Sequence, residues 1–260
     1  MQYRLGVVLS GGGSRGLVHA GVLGALREAG IEPECLSGTS AGAIVGALYA
    51  GGYDTAATLE FFETTSPFRL SRLASFGKPG LLDTTKIEED FLGYFPENSF
   101  EALDRKLFVT ATDLVEGDIE IFSSGPLVRP LLASASIPMV FTPTEFQGRL
   151  FADGGIVDNF PVDPLLGLCD VLLGVYASPL AHLADPAFDN SFEVTQRALE
   201  IGMFHASERK FHQVDLVLAS SELRRYGTFD AKRHAEIVEL GEEIAREQLD
   251  AIRELLDRKP

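Results

Sequence analysis

A chain of 260 residues with 45% hydrophobic and 23% charged side chains, and 13 prolines scattered along it, has enough apolar material for a sizeable core and is neither disordered nor fibrous. A formal net charge of -16 sets like charge against nucleic-acid phosphates and anionic bilayers, which argues against nucleic acid as a partner. Its apolar runs fall far short of the roughly 20 residues that span a bilayer, leaving peripheral contact as the one form of membrane association open to it.

No linker-like composition interrupts the chain, so residues 1–260 read as a single domain. Met1-Gln2-Tyr3-Arg4 leads straight into a strand-like segment, without the charged start, apolar centre and small-residue cleavage site of a signal peptide. Cys35 and Cys169 both sit beside strand-like apolar stretches. These features predict no export signal, two buried free thiols and a reducing, cytoplasmic setting.

Taken in order, the apolar run 5–9 predicts a strand, Ser10-Gly11-Gly12-Gly13 a loop, and the spacing of Leu17, Val18, Val22, Leu23 and Leu26 a helix. The unit repeats at once: a short strand around Cys35 and Leu36, the turn Gly38-Thr39-Ser40-Ala41-Gly42, and a helix over 43–49. Parallel strands joined by crossover helices follow from that repetition. Residues 64–82 show no regular period and predict a long loop or cap. They carry Arg69, Arg72 and Lys78 among apolar groups, a mixture that either completes the core or touches a lipid surface.

Further strands are predicted at 106–111, 119–122, 149–152, 171–175 and 214–218, and helices at 86–92, 127–133 and 192–210. Near 230–258, Ile237, Leu240 and Ile244, then Ala245, Leu249, Ile252 and Leu256, recur at helical spacing. They predict an amphipathic helix packed on the domain, with a homo-oligomer seam as the other use of such a face. The fold class is α/β, a three-layer α/β/α domain with a mainly parallel central sheet.

Gly38-Thr39-Ser40-Ala41-Gly42 matches G-x-S-x-G between a predicted strand and a predicted helix, the context in which that motif forms a nucleophile elbow. Glycines two residues to either side let Ser40 take a strained conformation, and the Ala41 amide opens the next helix, where it could donate to an oxyanion. A helix start with Ser40 as a plain N-cap is the bland alternative. Gly11-Gly12-Gly13-Ser14-Arg15-Gly16 presents backbone amides to an anion, and the same glycines satisfy the G-x-G-x-x-G dinucleotide pattern. A non-catalytic module binding nucleotide or acyl carrier therefore stays open. For the base that Ser40 needs there are two candidates: Asp153, at a strand end before Gly154-Gly155, and His182, which with Ser40 and Asp153 would make the triad of an α/β-hydrolase.

Together, Gly11 to Gly16, Gly38 to Gly42 and Asp153-Gly154-Gly155 resemble, in that order, the signatures of the patatin-like phospholipases. Ser134-Ala135-Ser136-Ile137-Pro138, Phe141-Thr142-Pro143 and Asn159-Phe160-Pro161 resemble further stretches typical of that family. The resemblance covers roughly residues 5–175. It implies a patatin-like fold and a serine esterase acting on lipid acyl esters, with Ser40 as nucleophile and Asp153 as base in a dyad. It also implies Gly11, Gly12 and Gly13 as oxyanion donors, Arg15 at a basic position of the glycine loop, a lipid or other acyl-ester substrate, and neither metal nor organic cofactor.

Overall fold

A computed structural model describes residues 2–65, 87–181, 188–230 and 232–258. Nearly all of the expected cap, and His182, fall outside them. The strands are β1 (Tyr3–Leu9), β2 (Cys35–Thr39), β3 (Lys106–Asp113), β4 (Asp118–Phe122), β5 (Thr144–Phe146), β6 (Arg149–Asp153), β7 (Cys169–Tyr176) and β8 (Leu216–Ala219). The helices are α1 (Val18–Glu28), α2 (Ala41–Ala50), α3 (Thr55–Thr64), α4 (Glu88–Tyr94), α5 (Val128–Ser134), α6 (Ser191–Glu208) and α7 (His234–Arg258).

The sheet runs β5-β6-β3-β2-β1-β7-β8, with β4 paired to β3. From β3 through β8 neighbouring strands are parallel, while β4, β5 and β6 add antiparallel pairs at one side. Strand order reverses at β1, whose successors lie on opposite sides of it. A crevice opens at such a switch point beyond the carboxyl ends of the strands.

Alternation along β1 divides the core. Leu5, Val7 and Leu9 join the cluster built with α1, α2 and α7, while Val8 points to the other face, against Phe160, Leu172 and Tyr176. Gly174 in β7 lets the Phe160 ring lie directly on the sheet, where a Cβ would overlap it. α2 is apolar on every side and buried throughout, as a helix enclosed between sheet and neighbours must be. α7 packs on α1 and buries Ile237, Leu240, Ile244, Ala245 and Ile252 against the domain. Cys35 and Cys169 are free and buried.

Two elements escape the sequence reading. α3 is capped by Asp54, whose carboxylate accepts from the Ala57 amide at 2.8 Å, but its threonines dilute the apolar period. β5 is only three residues long.

One pairing does most to shape the site. β2 meets β3 as far as Thr39 opposite Thr110, and β6 then takes over with Asp153 opposite Ala111. Since β4 occupies the other edge of β3 along 109–113, β2 and β6 share one edge and run towards each other end to end. The residue after Thr39 and the last residue of β6 are thereby brought face to face.

Candidate active site

Ser40 is the residue after Thr39, and it adopts φ 54° and ψ -123°, a region that L-residues avoid. Close packing holds it there. A Cβ on Gly38 would stand 2.6 Å from the Gly42 carbonyl, and one on Gly42 would overlap the carbonyl oxygen of Leu9, so both flanking glycines admit backbone that nothing larger would. The Ser40 amide donates to Ser134 Oγ at 2.7 Å, and its carbonyl accepts from the Ile44 amide at 3.1 Å.

Asp153 is 6% exposed and Ser40 5%. The carboxylate accepts from the Gly155 amide at 2.8 Å, and the Asp153 backbone is fixed by its own amide donating to Ser136 O at 2.9 Å and its carbonyl accepting from Thr112 Oγ1 at 2.8 Å. Burial raises the Asp153 pKa from 3.8 to about 6, outweighing the lowering effect of hydrogen bonds from the Ser40 hydroxyl and the Gly155 amide. Asp153-Gly154 does not turn a hairpin: Asp153 caps a short 3-10 turn, Gly154–Ile156.

The following segment is stitched beneath the strand ends. The Asn159 carbonyl accepts from the Gly11 amide at 3.2 Å, the Asp158 carbonyl from Thr39 Oγ1 at 2.9 Å, and the Pro161 carbonyl from Ser37 Oγ at 2.6 Å. These bonds fasten the turn that holds Asp153 to the loops that follow β1 and β2.

In the glycine loop the three glycines differ. The Gly11 amide is engaged by Asn159, whereas those of Gly12 and Gly13 have no acceptor among the described residues. Gly13 has φ 58°, and a Cβ there would overlap the Thr228 carbonyl. Arg15 is folded back: its guanidinium donates to the Gly12 carbonyl at 3.4 Å and Thr228 Oγ1 at 3.3 Å, and lies 3.9 Å from Glu200. Burial lowers its pKa, partly offset by Glu200. Ala41 does not line the cavity; its methyl packs against Gly16, where a Cβ would overlap it.

Ser40, Asp153, the three glycines and Arg15 line a cavity of about 400 Å³. One wall is apolar, with Ile137, Met139, Ile156, Leu180, Phe188 and Met203, and α6 contributes Arg197 and Glu200. Among the described histidines none lines it. His19 is buried with Nε2 at 2.8 Å from Ser10 O, and desolvation lowers its pKa to about 4. Among the described residues no cluster of His, Cys, Asp and Glu could hold a metal ion, and no helix is long and apolar enough to cross a membrane.

The sequence reading named Ser134, which braces Ser40, and Asn159 only as parts of family stretches and gave neither a role. Neither carries a local signal of its role, because each acts across a long separation in the chain.

Comparison with known proteins gives a consistent picture. The family model described as "Patatin-like phospholipase" matches residues 7–166. An uncharacterized NTE family protein of Mycobacterium tuberculosis is 35% identical over 195 residues, which is 74% of this chain and 53% of the relative. A lysophospholipase NTE1 of Candida glabrata is 27% identical over 282 residues, covering 96% of this chain and 16% of its own length. The chain thus spans about half the length, or less, of the curated relatives it matches. Among solved structures, VipD of Legionella pneumophila superposes with TM-score 0.54 at 16% identity, covering 100% of this chain and 67% of that one. Human GIVD cytosolic phospholipase A2, solved with methyl gamma-linolenyl fluorophosphonate, gives 0.53 at 12% identity, covering 99% and 59%. At such identities these two likenesses concern the fold alone.

Proposed function

The chain belongs to the patatin-like phospholipase family, and from that premise we propose that it is a lipid acyl hydrolase working through a Ser40–Asp153 dyad. The observation that carries this reading is the strained serine facing a buried carboxyl of pKa about 6. A base with a pKa near the working pH is both ionised and able to hold a proton.

In the first step the Ser40 hydroxyl attacks the ester carbonyl and passes its proton to Asp153. The charge that develops on the carbonyl oxygen is received by the free amides of Gly12 and Gly13, preset before reaction and so costing no reorganisation. Collapse expels the alcohol, which takes the proton back from Asp153, and leaves the acyl group on Ser40. Water then releases the acid in a second step.

The apolar wall suits an acyl chain, and exposed Met139 and Phe188 would let a lipid approach from an interface. The resemblance to a lysophospholipase makes single-chain phospholipids the first substrates to try.

Covalent labelling by a fluorophosphonate, read by intact mass on wild type, Ser40→Ala and Asp153→Asn, tests the reading. Labelling should vanish in Ser40→Ala and slow strongly in Asp153→Asn. A folded wild type that takes no label would overturn it. Mapping the adduct to Ser40, with His182→Ala labelling at the wild-type rate, distinguishes the dyad from a triad.

A further inference from the structure

Deacylation needs something acylation does not: a water molecule held beside the acyl carbonyl and within reach of the same carboxylate. Asn159 is placed to hold it. The residue is among those lining the cavity yet is only 1% exposed, and neither Oδ1 nor Nδ2 has a hydrogen-bond partner of good geometry among the described residues. The Tyr176 hydroxyl beside it is buried too; Ser207 and Asn159 lie close enough to offset part of the rise that burial gives its pKa, though neither meets it with good hydrogen-bond geometry, and Asn159 Oδ1 is left without even such a neighbour. A buried carboxamide left unpaired is costly, so a position that keeps one at a cavity wall calls for a ligand that pairs with it.

Two glycines fix where the carboxamide lies. A Cβ on Gly155 would stand 2.8 Å from Asn159 Oδ1 and 3.0 Å from Asp153 Oδ1. A Cβ on Gly11 would overlap Asn159 Oδ1 and stand 3.4 Å from Ser40 Cβ. The carboxamide is therefore a small residue's width from the base on one side and from the nucleophile on the other. Its backbone, not its side chain, ties down the glycine loop, since it is the Asn159 carbonyl that accepts from the Gly11 amide. The side chain is thus spared for another task.

Resting on the dyad reading above, we propose that the Asn159 carboxamide binds the water that deacylates Ser40. In that step the water oxygen bonds to the acyl carbon and one of its protons passes to Asp153. The bond from the carbon to Ser40 Oγ then breaks, Asp153 returns the proton to Oγ, and the free acid leaves. Nothing beyond water is consumed. The first-step alcohol is already tethered to the acyl carbon through the ester, whereas the attacking water is held by the protein alone, so loss of Asn159 should strike the second step far harder than the first.

The test separates the two steps on a soluble short-chain p-nitrophenyl ester, using the full chain and the variants Asn159→Ala and Asn159→Ser. Stopped-flow release of p-nitrophenol measures acylation, and intact mass follows decay of the acyl adduct. In Asn159→Ala the acylation burst should persist at close to the wild-type rate while the adduct decays about tenfold or more slowly. Steady-state kcat and KM should then fall together once deacylation limits turnover. Hydroxylamine, a small nucleophile strong enough to react without being oriented, should restore turnover. Asn159→Ser, which puts a hydroxyl able to hold water in place of the carboxamide, should recover part of the decay rate. Equal loss of burst and decay, or unchanged decay in both variants, would overturn the assignment. No adduct on Ser40 in the wild type would instead sink the dyad reading beneath it.

Discussion

Ser134 Oγ accepts the backbone N–H of Ser40 at 2.7 Å, so the elbow is braced by a hydroxyl that arrives 94 residues later in the chain, at the end of α5. Both groups are buried. Ser134→Ala strands that amide without an acceptor, a loss of about 1–3 kcal/mol. The cost falls on a residue already in a strained conformation, so it should act on the elbow before the rest of the fold. Thermal unfolding should move down modestly and fluorophosphonate labelling should slow by about tenfold or more. Unchanged labelling would mean that the flanking glycines and helix α2 hold Ser40 unaided.

The buried Asp153 carboxyl gives the reaction a pH signature. It works as a base only when ionised, and its pKa is raised to about 6 chiefly by burial. The value of kcat/KM on a neutral ester should rise with pH, tenfold per unit well below 6, and level off above it. A carboxyl at its usual pKa would have levelled off near 4. A profile already flat from pH 5 upward would show that Asp153 is not the titrating base.

The same shift carries a stability consequence of opposite sense. Asp153 binds its proton more tightly folded, at about 6, than unfolded, near 3.8, so in that window the folded state holds more protons. Stability from this group is therefore greatest at low pH and is lost as pH rises through 6. The shift corresponds to an upper bound on the order of 3 kcal/mol at neutral pH. Asp153→Asn should remove that cost: above pH 7 the variant should melt higher than the wild type, and the difference should shrink towards pH 4. His19, whose pKa is lowered to about 4, loses stability in the other direction, as pH falls below its unfolded value. The comparison between wild type and Asp153→Asn cancels that contribution. A variant less stable than wild type at pH 8 would mean that the hydrogen bonds around Asp153 outweigh its desolvation.

The parts of the site carried by short contiguous motifs were legible in the sequence. Glycine spacing announced both loops, because a missing Cβ at 38 and 42 answers a purely local steric demand. From the residues alone Asp153 stood beside His182 as a candidate base for Ser40, and the family resemblance alone preferred it, since the meeting of residues 40 and 153 depends on β2 and β6 sharing one edge of β3. An antiparallel strand inserted end to end with a parallel one leaves no trace in either strand's alternation. Asn159 was hidden for the same reason: its role comes from Gly11 and Gly155, which approach it from opposite directions. Gly11 was expected to donate to an oxyanion, yet its amide is already engaged by the Asn159 carbonyl. No spacing rule reports which amides of a glycine loop stay free.

The crossing of α1 and α7 offers a test of how far the site depends on its frame. At the crossing, Gly21 and Gly241 face one another: a Cβ on Gly21 would lie 3.0 Å from the Gly241 Cα and would overlap the Val238 carbonyl, and one on Gly241 would overlap the Val18 carbonyl. The helices touch backbone to backbone, so a larger residue must push them apart. Gly241→Val should cost about 3 kcal/mol or more, a fall of roughly 6–12 °C in Tm for a chain of this size. Glu243→Val, exposed on the same helix, controls for the poorer helix propensity of valine. The displacement should also reach the active site. His234, the first residue of α7, lies with Nε2 3.4 Å from Ser14 Oγ, and the Ser14 amide donates to the Thr228 carbonyl at 2.8 Å, just before that helix. Moving α7 outward therefore pulls on the loop that carries Gly12 and Gly13. At a temperature below the unfolding transition measured for both, Gly241→Val should label more slowly than Glu243→Val. Equal labelling rates in the two variants would mean that the glycine loop is held by Asn159 and Thr228 alone, independently of where α7 lies.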